Sequence, residues 1–171
     1  MIDYDLQIVA FFHQFSSTNI DFILSIVINL VYVVLLYFLY YFLQKKQKGH
    51  LYLLIISGIL GLGITTGLKY FINRPRPFAT PVTGLLARAD SSFPSRHSFL
   101  AGLGLYFLPE KFSKKIRTIL QIYLSIIIPL VLLIRAEHFL SDIIVGLVIG
   151  YFLPAILNKL LGNKAFVKRS E

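Results

Sequence analysis

Apolar residues in this chain come in long uninterrupted runs, without the two-residue alternation of a half-buried strand or the stripes of an amphipathic surface helix. Ile20 to Leu43 is the clearest run, 24 residues whose one charge, Asp21, lies at its edge. A helix of about 20 such residues crosses the roughly 30 Å of a bilayer's hydrocarbon core. Leu51 to Tyr70, with Lys69 at its far end, Ile116 to Ile134, and Phe139 to Leu161, with Asp142 near its start, repeat the pattern. Ser95 to Pro109 is shorter and is expected to lie buried within the bundle as a fifth span. Ile2 to Phe15 is apolar enough for a helix, but at 1.5 Å per residue it reaches only about 21 Å, and it contains Asp3 and Asp5. It predicts an interfacial or half-inserted helix, followed by a turn at Ser16-Ser17-Thr18-Asn19. The pattern therefore predicts an all-α integral-membrane bundle of five spans plus a short N-terminal helix. The one long irregular stretch, Ile72 to Pro94, is rich in Pro and Arg and contains Gly84, and connections of that length without regular structure commonly carry function.

Composition sharpens this picture. Of 171 residues, 56% are hydrophobic and only 15% charged, against about 45 to 50% and 25% in soluble domains. That length holds one domain, 1–171, without a sizeable soluble module, so chemistry must sit among the spans. With no cysteine, thiolate nucleophiles and cysteine-ligated metals are excluded. The start, Met1-Ile2-Asp3-Tyr4-Asp5, lacks the positive region of a signal peptide. The net charge of +9 comes from basic residues divided between helix ends, which points to anionic lipid as partner and away from nucleic acid. Lys45, Lys46, Lys48, Lys111, Lys114, Lys115, Arg117, Lys159, Lys164, Lys168 and Arg169 fall on one side; Lys69, Arg74, Arg76, Arg88, Arg96 and Arg135 fall on the other. The richer side marks the cytoplasm. The expected location is the cytoplasmic membrane, with the second set, His97 and His138 on the extracytoplasmic face. His13 and His50 read as structural. Gly146 and Gly150 have a GxxxG spacing suited to close helix packing, and Pro129 is expected to bend its span.

Three polar stretches stand out at a boundary where polar groups are expensive. They are Lys69-Tyr70-Phe71-Ile72-Asn73-Arg74-Pro75-Arg76-Pro77, Pro94-Ser95-Arg96-His97-Ser98, and Arg135-Ala136-Glu137-His138-Phe139-Leu140-Ser141-Asp142. Taken singly, Lys69 snorkelling at a span end, Ser95 as an N-cap and His138 as an interfacial histidine are adequate readings. Together they suit phosphoryl transfer to a protein nucleophile. Lys and Arg neutralise phosphate oxygens, guanidinium in bidentate fashion, and a helix starting at Ser95 would offer backbone N–H groups to the same anion. On a continuous helix, Arg135, His138 and Asp142 would lie within roughly 60° of one another. The Asp142 carboxylate would then accept the imidazole N–H and fix its tautomer, making His138 the nucleophile. His97, without a carboxylate at helix spacing, would protonate the leaving oxygen.

These stretches resemble the ordered motifs of the type 2 phosphatidic acid phosphatase superfamily: Lys, six residues, Arg-Pro; Pro-Ser, one residue, His; and Arg, five residues, His, three residues, Asp. Lys69 with Arg76-Pro77, Pro94-Ser95-Arg96-His97, and His138 with Asp142 carry the likeness over residues 69–142. Arg96 stands where Gly is common. Leu132 occupies the third motif's arginine position, and Arg135 follows three residues later. The resemblance implies a metal-independent phosphatase with no cofactor, in which His138 forms a phosphohistidine, Asp142 orients it and His97 acts as acid. It also implies that Lys69, Arg76, Ser95, Arg96 and Arg135 hold the phosphate. Arg74 and Arg88, outside the motifs, are expected to contact a lipid head group. Membrane-bound relatives act on phosphatidic acid, phosphatidylglycerol phosphate, undecaprenyl pyrophosphate or lipid A phosphate; the extra arginines favour the last two. Two other classes stand beside this one: a lipid transporter or flippase, suggested by many spans in a short chain, and a non-catalytic lipid-phosphate-binding subunit, suggested by the displaced third-motif arginine.

Overall fold

The computed structural model of the chain describes residues 4–77 and 91–161. Regular structure among them is helical: α1 (Tyr4–His13), α2 (Thr18–Gln44), α3 (Lys48–Ile72), α4 (Arg96–Tyr106), α5 (Lys114–Ile134) and α6 (Leu140–Leu161). Four of these, α2, α3, α5 and α6, are long and apolar enough to cross a membrane. The expected fifth, α4, falls short of that length among the described residues, with only 11 residues, about 16 Å at 1.5 Å each. It is instead the centre of the bundle. Every residue from Ser98 to Gly104 is buried, and α4 packs most extensively on α6, with α2, α3 and α5 around it. Phe22, Leu36, Ile59, Phe152 and Leu160 face outward, as lipid-exposed surfaces require. Lipid tails are as apolar as leucine, so helix association rests on close packing more than on removing apolar area from water.

Glycine sets that packing. A Cβ at Gly150 would collide with the Phe99 carbonyl oxygen, and one at Gly146 would lie 2.5 Å from the Ser95 oxygen and 2.9 Å from the Ser98 Cβ. α4 and α6 therefore meet backbone to backbone. Pro129 lacks the N–H its turn would use and crowds the carbonyl four residues earlier. The chain accommodates it within α5 by a π-turn over Tyr123–Ile127. The Tyr123 hydroxyl on that turn donates to the Val27 carbonyl at 2.7 Å, pinning α5 to α2.

Helix ends at the site face are closed by left-handed residues. Asn73 (φ 47) ends α3, and its side chain is among the few that tolerate this region. Ala136 (φ 49) ends α5 in a Schellman turn, with its N–H on the Leu133 carbonyl and that of Glu137 on the Leu132 carbonyl. Both ends of α1 are tied to the facing ends of α5 and α6. Asp5 accepts from the Ser141 N–H, and His13 Nδ1 lies 2.9 Å from the Ile134 carbonyl oxygen. This short helix thus lies across the ends of α5 and α6.

Candidate active site

Backbone hydrogen bonds gather the three polar stretches. After the Asn73 turn the chain crosses the bundle end, where Ser92 N–H donates to the Arg74 carbonyl at 2.8 Å and the Ser92 hydroxyl to the Pro75 carbonyl at 3.1 Å. Lys69, buried in the last turn of α3, donates to the Ser91 carbonyl. Ser95 N–H donates to the Asp142 carbonyl at 3.1 Å, fixing the start of α4 against the start of α6. The Ser95 hydroxyl caps α4 by accepting from the Ser98 N–H, and the helix presents its first-turn N–H groups and positive dipole end to the same region.

His138 is buried, with Nδ1 2.7 Å from the Ser92 carbonyl oxygen. A carbonyl only accepts, so Nδ1 carries the proton and Nε2 keeps the lone pair that a nucleophile needs. The Asp142 carboxylate lies 3.8 Å from Nδ1, beyond a hydrogen bond. The tautomer is therefore fixed by the Ser92 backbone, where the sequence pointed to Asp142, which remains a nearby negative charge. Asp142 Oδ2 accepts from the Phe139 N–H at 2.9 Å, reaching back to cap α6, and Oδ1 accepts from Arg74 at 2.8 Å. Burial holds the His138 imidazole below its ordinary value, with Arg76 and Lys69 adding to the effect and Asp142 opposing it.

His97 lies close enough to His138, Arg76, Arg96 and Glu137 for each to bias its charge. Burial lowers its pKa, Glu137 resists this, and the cations and the second imidazole reinforce it. Its Nε2 is buried without a hydrogen-bond partner, and its ring meets that of Tyr32 on α2 edge to face at 5.8 Å between centroids. Arg76 donates to the Glu137 carbonyl at 3.0 Å. The structure thus brings together Lys69, Arg76, Ser95, Arg96, His97, His138 and Asp142.

Arg135 is not among them. It is the C-cap of α5, and the left-handed Ala136 breaks the continuous helix that would have aligned it with His138 and Asp142. Its guanidinium donates to Glu137 Oε1 at 2.7 Å and to the Asp21 carbonyl at 2.5 Å. Glu137 stands between it and Arg76, whose nearest nitrogen is 3.9 Å from Oε2. Arg74 likewise faces inward, bonded to Ser141, Asp142 and Asp5, with its guanidinium carbon 3.7 Å above the Phe139 ring centroid. Arg88 lies outside the described residues.

Sequence reasoning missed Ser91 and Ser92, which act through backbone carbonyls and leave no side-chain signature. It also missed Glu137 and Asp5, which carry the signal it used elsewhere: an ionisable group at a membrane boundary. Among the described residues, no group of His, Cys, Asp and Glu side chains is arranged to hold a metal ion.

A family model described as the PAP2 superfamily matches residues 48–165. Comparison with curated proteins finds no significant match. Among solved structures, the crystal structure of Aquifex aeolicus LpxE superposes with a TM-score of 0.70 at 24% identity, covering 90% of this chain and 94% of that one. The likeness is one of fold over that share of the chain.

Proposed function

The chain belongs to the PAP2 superfamily, and from that premise we propose that it is a metal-independent lipid phosphatase working through a phosphohistidine at the extracytoplasmic face of the cytoplasmic membrane. The observation that carries this reading is the meeting of two imidazoles, the buried His138 and the partly buried His97, with Arg76 beside both and Lys69 beside His138, at one end of the spans. His138 Nε2 attacks phosphorus, the bond to the leaving oxygen breaks, and His97 gives that oxygen a proton. Lys69, Arg76, Arg96 and the α4 N-terminus stabilise the charge on the phosphoryl oxygens. Asp142 offsets the positive charge left on the phosphorylated ring. Water, surrendering a proton to His97, then cleaves the N–P bond and frees inorganic phosphate. The incoming phosphate anion, added to Glu137, counteracts the burial that keeps His97 neutral, so substrate itself helps load the acid with its proton.

The substrate in this reading is a lipid with a multiply anionic head group, of the undecaprenyl pyrophosphate or lipid A phosphate kind, entering sideways from the bilayer because the outer surface is small. Arg135 serves the site by holding Glu137, and phosphate contact falls to Arg76. A transporter would place ionisable groups near the bilayer midplane, whereas the middle thirds of α2, α3, α5 and α6 carry no Lys, Arg, Asp or Glu. The deciding experiment is phosphate release by purified protein from a panel of lipid phosphates. His138→Ala is expected to lose at least about 10³-fold in kcat. His97→Ala should lose about 10² to 10⁴-fold on lipid but far less on p-nitrophenyl phosphate, whose leaving group needs no proton. Undiminished turnover by His138→Ala would rule the mechanism out.

A further inference from the structure

Asp142 is fully buried and shares its charge between two cationic claims: Arg74, 2.8 Å from Oδ1, and the His138 ring, 3.8 Å from Oδ2. If Arg74 had no other counter-ion, the pair would be neutral and the carboxylate would have little to offer a positive imidazole ring. Arg74 does have another. Its second terminal nitrogen donates to Asp5 Oδ2 at 3.0 Å. Its first also donates to the Ser141 hydroxyl at 2.6 Å, which passes its own hydrogen to Asp5. Asp5 Oδ1 accepts from the Ser141 N–H at 3.2 Å, and the Phe139 ring holds the guanidinium flat from one side. Two carboxylates thus bracket one guanidinium, and the cluster keeps one net negative charge beside His138. Asp5 comes from α1, outside the matched residues 48–165.

We propose that Asp5 is a positioning residue for the phosphatase reaction: by satisfying Arg74 it leaves the Asp142 charge available to the His138 ring when that ring carries the phosphoryl group. This rests on the phosphohistidine reading above. The other groups acting on His138 are Lys69 from α3, Arg76 from the segment after it, His97 from α4 and the Ser92 carbonyl, whereas the described hydrogen bonds of the Asp5 carboxylate go to Arg74 and Ser141 and to none of these.

The test uses the full chain in detergent with the best lipid phosphate of the panel. Asp5→Asn is expected to lower kcat about 10 to 100-fold with KM within about threefold of wild type, because phosphate contacts are untouched. Its unbalanced cation should move the acid limb of kcat/KM to lower pH. Asp5→Glu should restore much of the rate. Asp5→Asn combined with Arg74→Gln removes the claim and its counter-ion together and should be faster than Asp5→Asn alone. A merely structural tie between α1 and the bundle would show no such recovery. His13→Ala, which cuts the other end of α1 loose, separates docking from charge and should leave the pH profile in place. Nitrogen NMR titration of His138 gives a readout independent of turnover, with a lower pKa in Asp5→Asn. Wild-type kcat and an unmoved His138 titration in Asp5→Asn, or a double variant no faster than the single, would overturn the inference. Inactivity of the wild type on every lipid would overturn the functional reading instead, and the titration would still decide the role of Asp5.

Discussion

Gly146→Ala tests how closely the α4–α6 seam governs the site. The new methyl carbon would sit 2.5 Å from the Ser95 carbonyl oxygen, 2.9 Å from the Ser98 Cβ and 3.1 Å from the Phe99 N. Two of these three neighbours are backbone atoms, so no rotamer change clears the space. Relief to the 3.4 Å at which ordinary contact begins requires the start of α4 to move away from α6 by up to about 0.9 Å. Ser95 caps the helix that carries His97, and its N–H reaches the Asp142 carbonyl one turn before Gly146. The same movement therefore separates His97 from His138. Misplacement by about 1 Å costs up to about 10²-fold in rate, equivalent to about 2.7 kcal/mol of barrier, and overpacking costs about 1 to 3 kcal/mol of stability. The expected result is a 10 to 100-fold fall in kcat with a lower Tm, measured by phosphate release and thermal unfolding in detergent. Gly63→Ala and Gly67→Ala on α3, where a Cβ meets nothing within 4 Å, are the matched controls and should leave kcat unchanged. A Gly146→Ala protein with wild-type kcat and Tm would refute the claim that this seam sets the catalytic distance.

Two further outcomes follow from the site geometry. Arg76→Ala should cost about 10² to 10³-fold in kcat/KM, as loss of an oxyanion donor does. Arg135→Ala, bonded to Glu137 and the Asp21 carbonyl, should cost less than about tenfold; equal losses in steady-state kinetics would return Arg135 to the phosphate. Burial, complete for His138 and partial for His97, makes stability depend on pH with a definite sign. His97 and His138 both titrate below their unfolded value near 6.5 when folded. Below that pH the unfolded chain binds more protons, so their contribution, complete above about 6.5, is lost as pH falls toward the folded values. Tm should drop on acidification through this window, and His138→Gln should reduce the slope.

Much of the architecture was legible because membrane insertion demands long apolar runs, and α2, α3, α5 and α6 follow those runs to within a few residues. α4 is shorter than its apolar stretch, which continues through Phe107 and Leu108 after the helix has ended; its Gly102 and Gly104 belong to packing at the bundle centre. The grouping of Lys69, Arg76, Ser95, His97 and His138 was readable because each carries its chemistry in its side chain at a boundary that discourages polar groups. The placement of Arg135 was not. It depends on Ala136 adopting a left-handed turn, and alanine, the best helix former, gives no sign of that. The partner of His138 was hidden for another reason: a backbone carbonyl exists at every position, and only the fold decides that Ser92 supplies it. Asp5 read as a limit on insertion of the N-terminal segment, yet its carboxylate is what fastens that segment to Arg74 and Ser141.

Lys69 closes α3, yet the carbonyl that receives its ammonium belongs to Ser91, and the imidazole beside it is 69 positions further along the chain. During synthesis the insertion machinery therefore handles a hairpin of α2 and α3 whose terminal lysine precedes its Ser91 acceptor. Its acceptor and the imidazole beside it are both supplied by chain made after α3, so the ammonium is buried only once that later chain has folded back onto the helix end.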